Sequence, residues 1–160
     1  MMMKRERLTE SAKELKQPGK QAARQFGDDH AAVAAALNAQ MRERPDLLRL
    51  IGSDNIEMME NNSRNLCRFL ASLFQHYEPD VLVETALWAV RTYRGHGFTV
   101  PYWPANLDTL ALILKGRYDD QVYEELYPFI DWLIIHIPLF VEIDDELKAG
   151  GDQNNQEGGN

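Results

Sequence analysis

Leu66-Cys67-Arg68-Phe69-Leu70-Ala71-Ser72-Leu73-Phe74-Gln75-His76-Tyr77 is the stretch that decides the fold class. Leu66, Phe69, Leu70, Leu73, Phe74 and Tyr77 fall at i, i+3, i+4, i+7, i+8 and i+11, one apolar stripe with the helical period. A strand alternates its faces every two residues and cannot present that set on one side. Ser53 or Asp54 is placed to cap the helix that carries the stripe, and Pro79 suits the first turn of the next.

Working outward from this helix, the period never changes. Downstream, Leu82, Ala86, Ala89, Val90 and Tyr93 share a face, and Gly95-His96-Gly97 ends that helix. Thr99 is placed to cap the following segment, with Pro101 near its first turn and Pro104 as a restart. Leu107, Leu110, Ala111 and Leu114 form its stripe, and Gly116 marks its end. After Asp119 and Asp120 a last helix turns Val122, Leu126, Phe129, Ile130, Leu133, Ile134 and Ile137 inward. Pro128 and Pro138 interrupt that pattern and predict a kink or an early break. Upstream, Asp28 and Asp29 can cap a helix to about Arg44, with Val33, Leu37 and Met41 on one face. Pro45 opens a short piece, Leu47–Ile51, which Gly52 stops. No alternation and no repeat is found, so the expectation is all-α, about six helices in a core of roughly 120 residues. That count fits an orthogonal stack of helices as well as an irregular bundle.

The ends differ from the middle. Residues 1–25 hold seven Lys or Arg against three Glu, a balance of +4, and residues 142–160 hold six acids against Lys148, a balance of −5. The expected division is a basic N-terminal arm over 1–26, in which Leu8–Leu15 could form one helix ended by Gln17-Pro18-Gly19, a helical domain over 27–147 and an acidic, disordered tail over 148–160. From Ala149 onward the tail has no apolar residue after its first Ala, so nothing offsets the entropy of ordering it. The arm and tail read as solvated termini, or as segments that pair within one molecule or between two.

A formal net charge of −8 argues against a general nucleic-acid binder, which needs a basic face. Cys67 is the one cysteine, so no disulfide can form within the chain, which fits a reducing compartment. The longest apolar run, Trp132–Val141, is short for a membrane span and contains His136 and Pro138. The N-terminus lacks the apolar core of a secretory signal. A cytoplasmic location is the expectation.

The chemistry-bearing residues form no recognised catalytic pattern. His30, His76, His96 and His136 include no pair at i, i+3 or i+4, so local spacing makes no zinc site. Gly95-His96-Gly97 ends a helix rather than opening one, the wrong geometry for cradling phosphate. The paired acids Asp119/Asp120 and Glu124/Glu125 read as first-turn charge against the helix dipole. Asp131 and His136 stand about 140° apart around their helix and do not make one site. His136, among Ile134, Ile135 and Ile137, reads as a satisfied core histidine or as a pocket residue. Tyr93, Tyr102, Trp103, Tyr118, Tyr123, Tyr127 and Trp132 are most simply core and interface, and some can line an apolar pocket with polar handles. Met58 and Met59 can add adaptable packing to it.

The run Tyr93-Arg94-Gly95-His96-Gly97-Phe98-Thr99-Val100-Pro101-Tyr102-Trp103 resembles the globin stretch in which a helix ends at the proximal histidine, a glycine turn follows and the next helix opens on an aromatic. Upstream, Met59-Glu60-Asn61-Asn62-Ser63-Arg64-Asn65-Leu66-Cys67-Arg68-Phe69-Leu70 looks like the distal helix. The resemblance covers roughly residues 31–142 and rests on helix order and the glycine turn. Tyr93 stands where haem globins carry the iron-ligating histidine, and Asn62 falls near the distal position. The pattern is thus closest to the non-haem globin sensor domains of bacterial stress-signalling regulators, distant cousins of the phycobiliproteins. Such domains dimerise through helices and replace haem with a packed core or a small apolar ligand.

The resemblance therefore implies a non-catalytic sensory or regulatory globin-like domain that binds a small apolar ligand or a partner protein, its partner another protein or a second copy. The pocket candidates are Met59, Asn62, Leu66, Tyr93, His96, Trp103 and His136, with no metal ligand among them. Two alternatives stand beside it. One is a haem-binding gas-sensor or redox globin with Tyr93, His96 or His136 as axial ligand, since tyrosine can ligate haem iron as phenolate. The other is a ligand-free helical adaptor that recruits partners through its basic arm and acidic tail.

Overall fold

The computed structural model describes the backbone of residues 3–157 and the side chains of residues 3–150. Among these described residues the chain forms seven helices and no strand: α1 (Lys4–Ala12), α2 (Lys20–Arg42), α3 (Leu47–Ile51), α4 (Ile56–Gln75), α5 (Pro79–Gly95), α6 (Tyr102–Arg117) and α7 (Asp120–Glu157). The all-α expectation holds, with one helix more than the periodicity counted.

The helix beyond the six of the core is α1, which begins ahead of the Leu8–Leu15 stretch read as a possible helix of the arm. Leu8 and Ala12 recur at i and i+4, and both are fully buried against the bundle. The Tyr77 hydroxyl donates to the Ala12 carbonyl, and Trp132 Nε1 donates to Ser11 Oγ at 3.0 Å. Two apolar residues and a few hydrogen bonds thus dock a segment whose composition reads as polar. Gln17-Pro18-Gly19 does break the chain, but α2 starts directly after it, and the boundary expected after residue 26 falls inside that helix. Ala22, Ala23 and Phe26 extend the stripe of Val33, Leu37 and Met41 backward, and all are buried. Asp28 and Asp29 therefore sit along α2 rather than capping it. Asp29 Oδ2 accepts the Tyr118 hydroxyl at 2.9 Å and meets Arg117 Nε at 3.3 Å, and these partners hold its carboxyl below the usual carboxylate range.

Two other caps move. α4 begins after Asn55, not after Ser53 or Asp54, and the Asn55 amide is used across loops. Its Nδ2 donates to the Ile51 carbonyl at 2.7 Å and to the His96 carbonyl at 2.8 Å. Thr99 does not cap α6 either. Its Oγ1 and backbone N–H both donate to the Leu50 carbonyl, at 2.9 and 2.8 Å. The loops after α3 and α5 are thereby clasped together. Gly52 and Gly97 supply the turns at φ +83° and +100°, where a side chain would be strained.

α7 carries the core. Of the kink or early break expected at Pro128 and Pro138, the break does not occur: the helix is continuous through both. Each proline removes a backbone hydrogen bond, at about 3 kcal/mol in a free helix. Phe129, Ile130, Ile137 and Phe140, all buried beside them, offset that cost by packing on the other helices. Phe74 joins α2 to α7 through edge-on contacts with Phe26 at 5.1 Å and Phe129 at 5.2 Å. α2 lies along α4 and α6, α7 lies across α5 and α6, and α1 closes over α5 and α7. Asp120–Gly150 is long and apolar enough to cross a membrane, with a mean hydropathy of 1.6 in its most apolar window, of which 39% is buried in the bundle. The core helix of a bundle meets the same criterion. The tail expected over 148–160 begins inside α7, and residues 158–160 lie outside the described residues.

Candidate functional site

The middle of the bundle is where four helices meet without closing fully. Leu66 and Phe69 from α4, Ala86 and Val90 from α5, Trp103 and Leu107 from α6, and Ile137 and Phe140 from α7 line a crevice of about 60 Å³. Thr85 and Trp103, through its buried indole Nε1, are the lining side chains with a polar atom on an otherwise hydrocarbon wall. The stripes of α4, α5 and α6 each supply part of it, and small Ala86 and Ala89 on α5 leave the room.

An aromatic cluster forms one flank. Tyr93 packs against Phe98 at 5.2 Å and Trp103 at 5.9 Å, and Tyr102 packs against Phe98 at 4.9 Å and Trp103 at 5.0 Å. Behind it lies a buried polar contact. Asn62 Nδ2 donates to the Tyr102 hydroxyl at 2.9 Å, and both side chains are buried. Burial pushes the Tyr102 and Tyr93 hydroxyls above the usual phenol range, so both stay protonated and neutral.

The sequence-predicted residues divide three ways. Leu66 and Trp103 stand in the crevice wall. Tyr93, Asn62 and Met59 are buried, Tyr93 against Trp103 and Asn62 against Tyr102. His96 and His136 leave the group. His96 is exposed in the glycine turn, where its carbonyl rather than its ring is used. His136 bridges α7 to α1, with Nδ1 2.7 Å from the Trp132 carbonyl, Nε2 3.3 Å from Ser11 Oγ and its ring 4.5 Å from that of Trp132. Of the two readings of His136, the satisfied structural histidine fits its contacts, because α1 lies over it.

Sequence reasoning missed Tyr102 as the partner of Asn62, and it missed Ala86, Ala89 and Phe140 as crevice residues. The signal available was two small residues, Ala86 and Ala89, on a stripe facing bulky ones. It also missed Asn106, one turn beyond Tyr102, whose fully buried side-chain amide meets no protein partner among the described residues.

The residues present do not fit haem. The crevice holds about 60 Å³, far below the roughly 300–1,000 Å³ of sites that enclose drug- or cofactor-sized ligands, so it has room for a ligand of a few heavy atoms and none for a haem. Tyr93 is wedged among three aromatic rings, and its burial opposes the phenolate that iron ligation requires. Among the described residues no three His, Cys, Asp or Glu converge to hold a metal ion. Burial pushes the Cys67 thiol up to about 12, so it is not a poised nucleophile.

Two more surface features flank the bundle. A groove of about 190 Å³ runs between α5 and α7, bordered by Leu87, Trp88, Ile143 and Leu147, with Trp88 58% and Leu147 57% exposed. At the end of this face Arg94 Nη1 bonds Asp144 Oδ2 at 2.7 Å, and Lys148 Nζ reaches the same oxygen at 3.1 Å.

No family model matches the chain, and no solved structure matches it. It is similar to the protein named mitochondrial intermediate peptidase 2 of Cryptococcus neoformans var. neoformans serotype D, at 29% identity over 100 residues. The match recurs in a second strain of that fungus. It takes in 58% of this chain and 12% of the fungal protein's length.

Proposed function

We propose that the chain is a non-catalytic sensory or regulatory domain of globin-like arrangement, in which the central crevice takes a small apolar ligand and the α5–α7 face takes a second copy of the chain. The observation that supports it most is the crevice itself. Four helices converge on a largely hydrocarbon wall whose polar atoms are the Thr85 hydroxyl and the Trp103 indole N–H, beside a neutral and buried Asn62–Tyr102 pair. Such a wall gains by burying apolar surface, at roughly 25 cal/mol per Å², and offers nothing that performs acid–base or nucleophilic chemistry. The resemblance of Tyr93–Trp103 to the globin turn, with tyrosine in the ligand position, supports the same reading. A ligand wedged between α5 and α7 changes how those helices pack, and their outer face is the one that carries Trp88 and Leu147. The peptidase activity in the fungal relative's name belongs to that protein, and it does not enter this reading.

The test is native mass spectrometry of the protein purified from cells, with thermal melting in the presence of short fatty acids and alkanols. An apolar mass on the ion, or a rise in melting temperature, is expected for the native chain. Ala89→Phe fills the crevice and should abolish both while the protein stays folded. A chain that carries no ligand, gains no stability from any such compound and melts unchanged as Ala89→Phe would reject the ligand reading.

A further inference from the structure

We infer that the groove between α2 and α4, on the opposite side of α4 from the crevice, is a binding site for a small phosphorylated molecule. The groove is large, about 800 Å³, within the range of about 300–1,000 Å³ typical of small-ligand sites. Lys20 and Arg24 enter it from successive turns of α2, and Arg68 enters from α4. All three are exposed. Elsewhere on the surface Arg5, Arg42, Arg44 and Arg117 meet carboxylates, but among the described residues none of these three does. Asp28 is the one carboxylate in the lining, so three cations face a single acid in a chain whose net charge is −8. An acidic protein that concentrates free guanidinium groups in one cleft has a local field that draws anions inward.

The chemistry selects phosphate over a single carboxylate. Two guanidinium forks from different helices can each take a pair of oxygens, and an ammonium adds a point charge. A di- or triphosphate carries enough charged oxygens to engage all three. Ser72 and Gln75, also in the lining, offer neutral donors for the rest of the molecule. The helices supply rigid placement, because α2 packs along α4, and the Gln75 side chain reaches Gly27, where an added Cβ would lie 3.3 Å from its Nε2. The inference is independent of the crevice and stands or falls separately from it.

The experiment titrates the full chain, labelled with nitrogen-15, with inorganic pyrophosphate and then adenosine diphosphate, following amide shifts. Saturable shifts over 20–30 and 68–75, weakened by salt, are expected for both. The double variant Arg24→Gln/Arg68→Gln should bind at least tenfold more weakly with its melting temperature unchanged, since both side chains are exposed. Shifts that map elsewhere, or an affinity the double variant leaves intact, overturn the inference. So does a poly-glutamate peptide that binds the groove more tightly than either phosphate compound, because the occupant is then an acidic protein segment.

Discussion

At the scale of single residues, the charged groups that matter are those the fold half-hides. Asp144 is 3% exposed, and its carboxylate is held by Arg94 from α5 and Lys148 one turn on. Removing a partner from such a pair strands a buried charge, which is why breaking it costs more than making it returns. Arg94→Ala should destabilise by about 3 kcal/mol, read as a lower midpoint in urea at an unchanged slope, while Lys148→Ala, the more exposed partner, should cost under about 1 kcal/mol. Asp29 makes a different prediction, about pH. Its folded carboxyl titrates below the ordinary value because Arg117 and the Tyr118 hydroxyl bond the charged form. The folded state therefore binds fewer protons there than the unfolded chain. The stability this supplies is complete above an unfolded carboxylate pKa of about 3.9, and it is lost as pH falls through the lower folded value. In Asp29→Asn the acid limb of a stability–pH curve below about pH 4 should flatten, and the neutral-pH melting temperature should drop slightly. An unchanged acid limb would mean the contact contributes nothing in solution.

Elements were legible where their apolar stripe was long, and illegible where tertiary contacts did the work. α4 was read directly from Leu66 to Tyr77, because a stripe of six residues over three turns has no strand alternative. α5 and the Gly52 stop of α3 were equally plain, since Pro79 and the glycines punctuate the chain. The start of α2 was not, because Asp28 and Asp29 imitate a cap, whereas Ala22, Ala23 and Phe26 ahead of them are silent until α4 covers them. The early break that the prolines of α7 allowed is absent for the same reason: local propensity was overruled by packing on both sides. In the candidate site, Leu66 and Trp103 were legible from stripe and aromatic clustering; His136 was read two ways, with the docking of α1 deciding between them, and the departure of His96 was not legible because it depends on the loop clasp at Asn55. That docking yields a test. Leu8 is fully buried, so Leu8→Ala should cost about 2–5 kcal/mol, far outside the range of a solvated arm. Equilibrium urea unfolding measures it. A change within about 0.5 kcal/mol would restore the arm to the surface.

On the whole molecule, some of the exposed apolar side chains gather on one face. Trp88 and Val81 lie seven residues apart on α5, and Leu147 stands beside Trp88 from α7. Single exposed apolar residues need no explanation, but a tryptophan and a leucine rimming a shared groove form a patch that water disfavours. Charge around the groove is mixed, with Arg5 and Arg91 near Glu84 and Asp144. A face carrying both signs can meet its own copy across a two-fold axis, each cation opposite the other copy's acid. Ala86 and Val90 of α5 and Ile137 and Phe140 of α7 also line the crevice, so the proposed ligand and the proposed second copy would act on shared elements, which is what coupling between them requires. The expected species is a dimer of the 18.4 kDa chain. Buried tryptophans dominate interface energies, and losing one typically costs about 2 kcal/mol or more, some thirtyfold in dissociation constant. Trp88→Glu adds an unpaired charge to that loss. In sedimentation velocity across a concentration series it should run as a monomer where the native chain runs as a dimer, with the same helical content. If the native chain is itself monomeric at every concentration, the second copy is not what covers this face. If Trp88→Glu dimerises as tightly as the native chain, the dimer is built elsewhere.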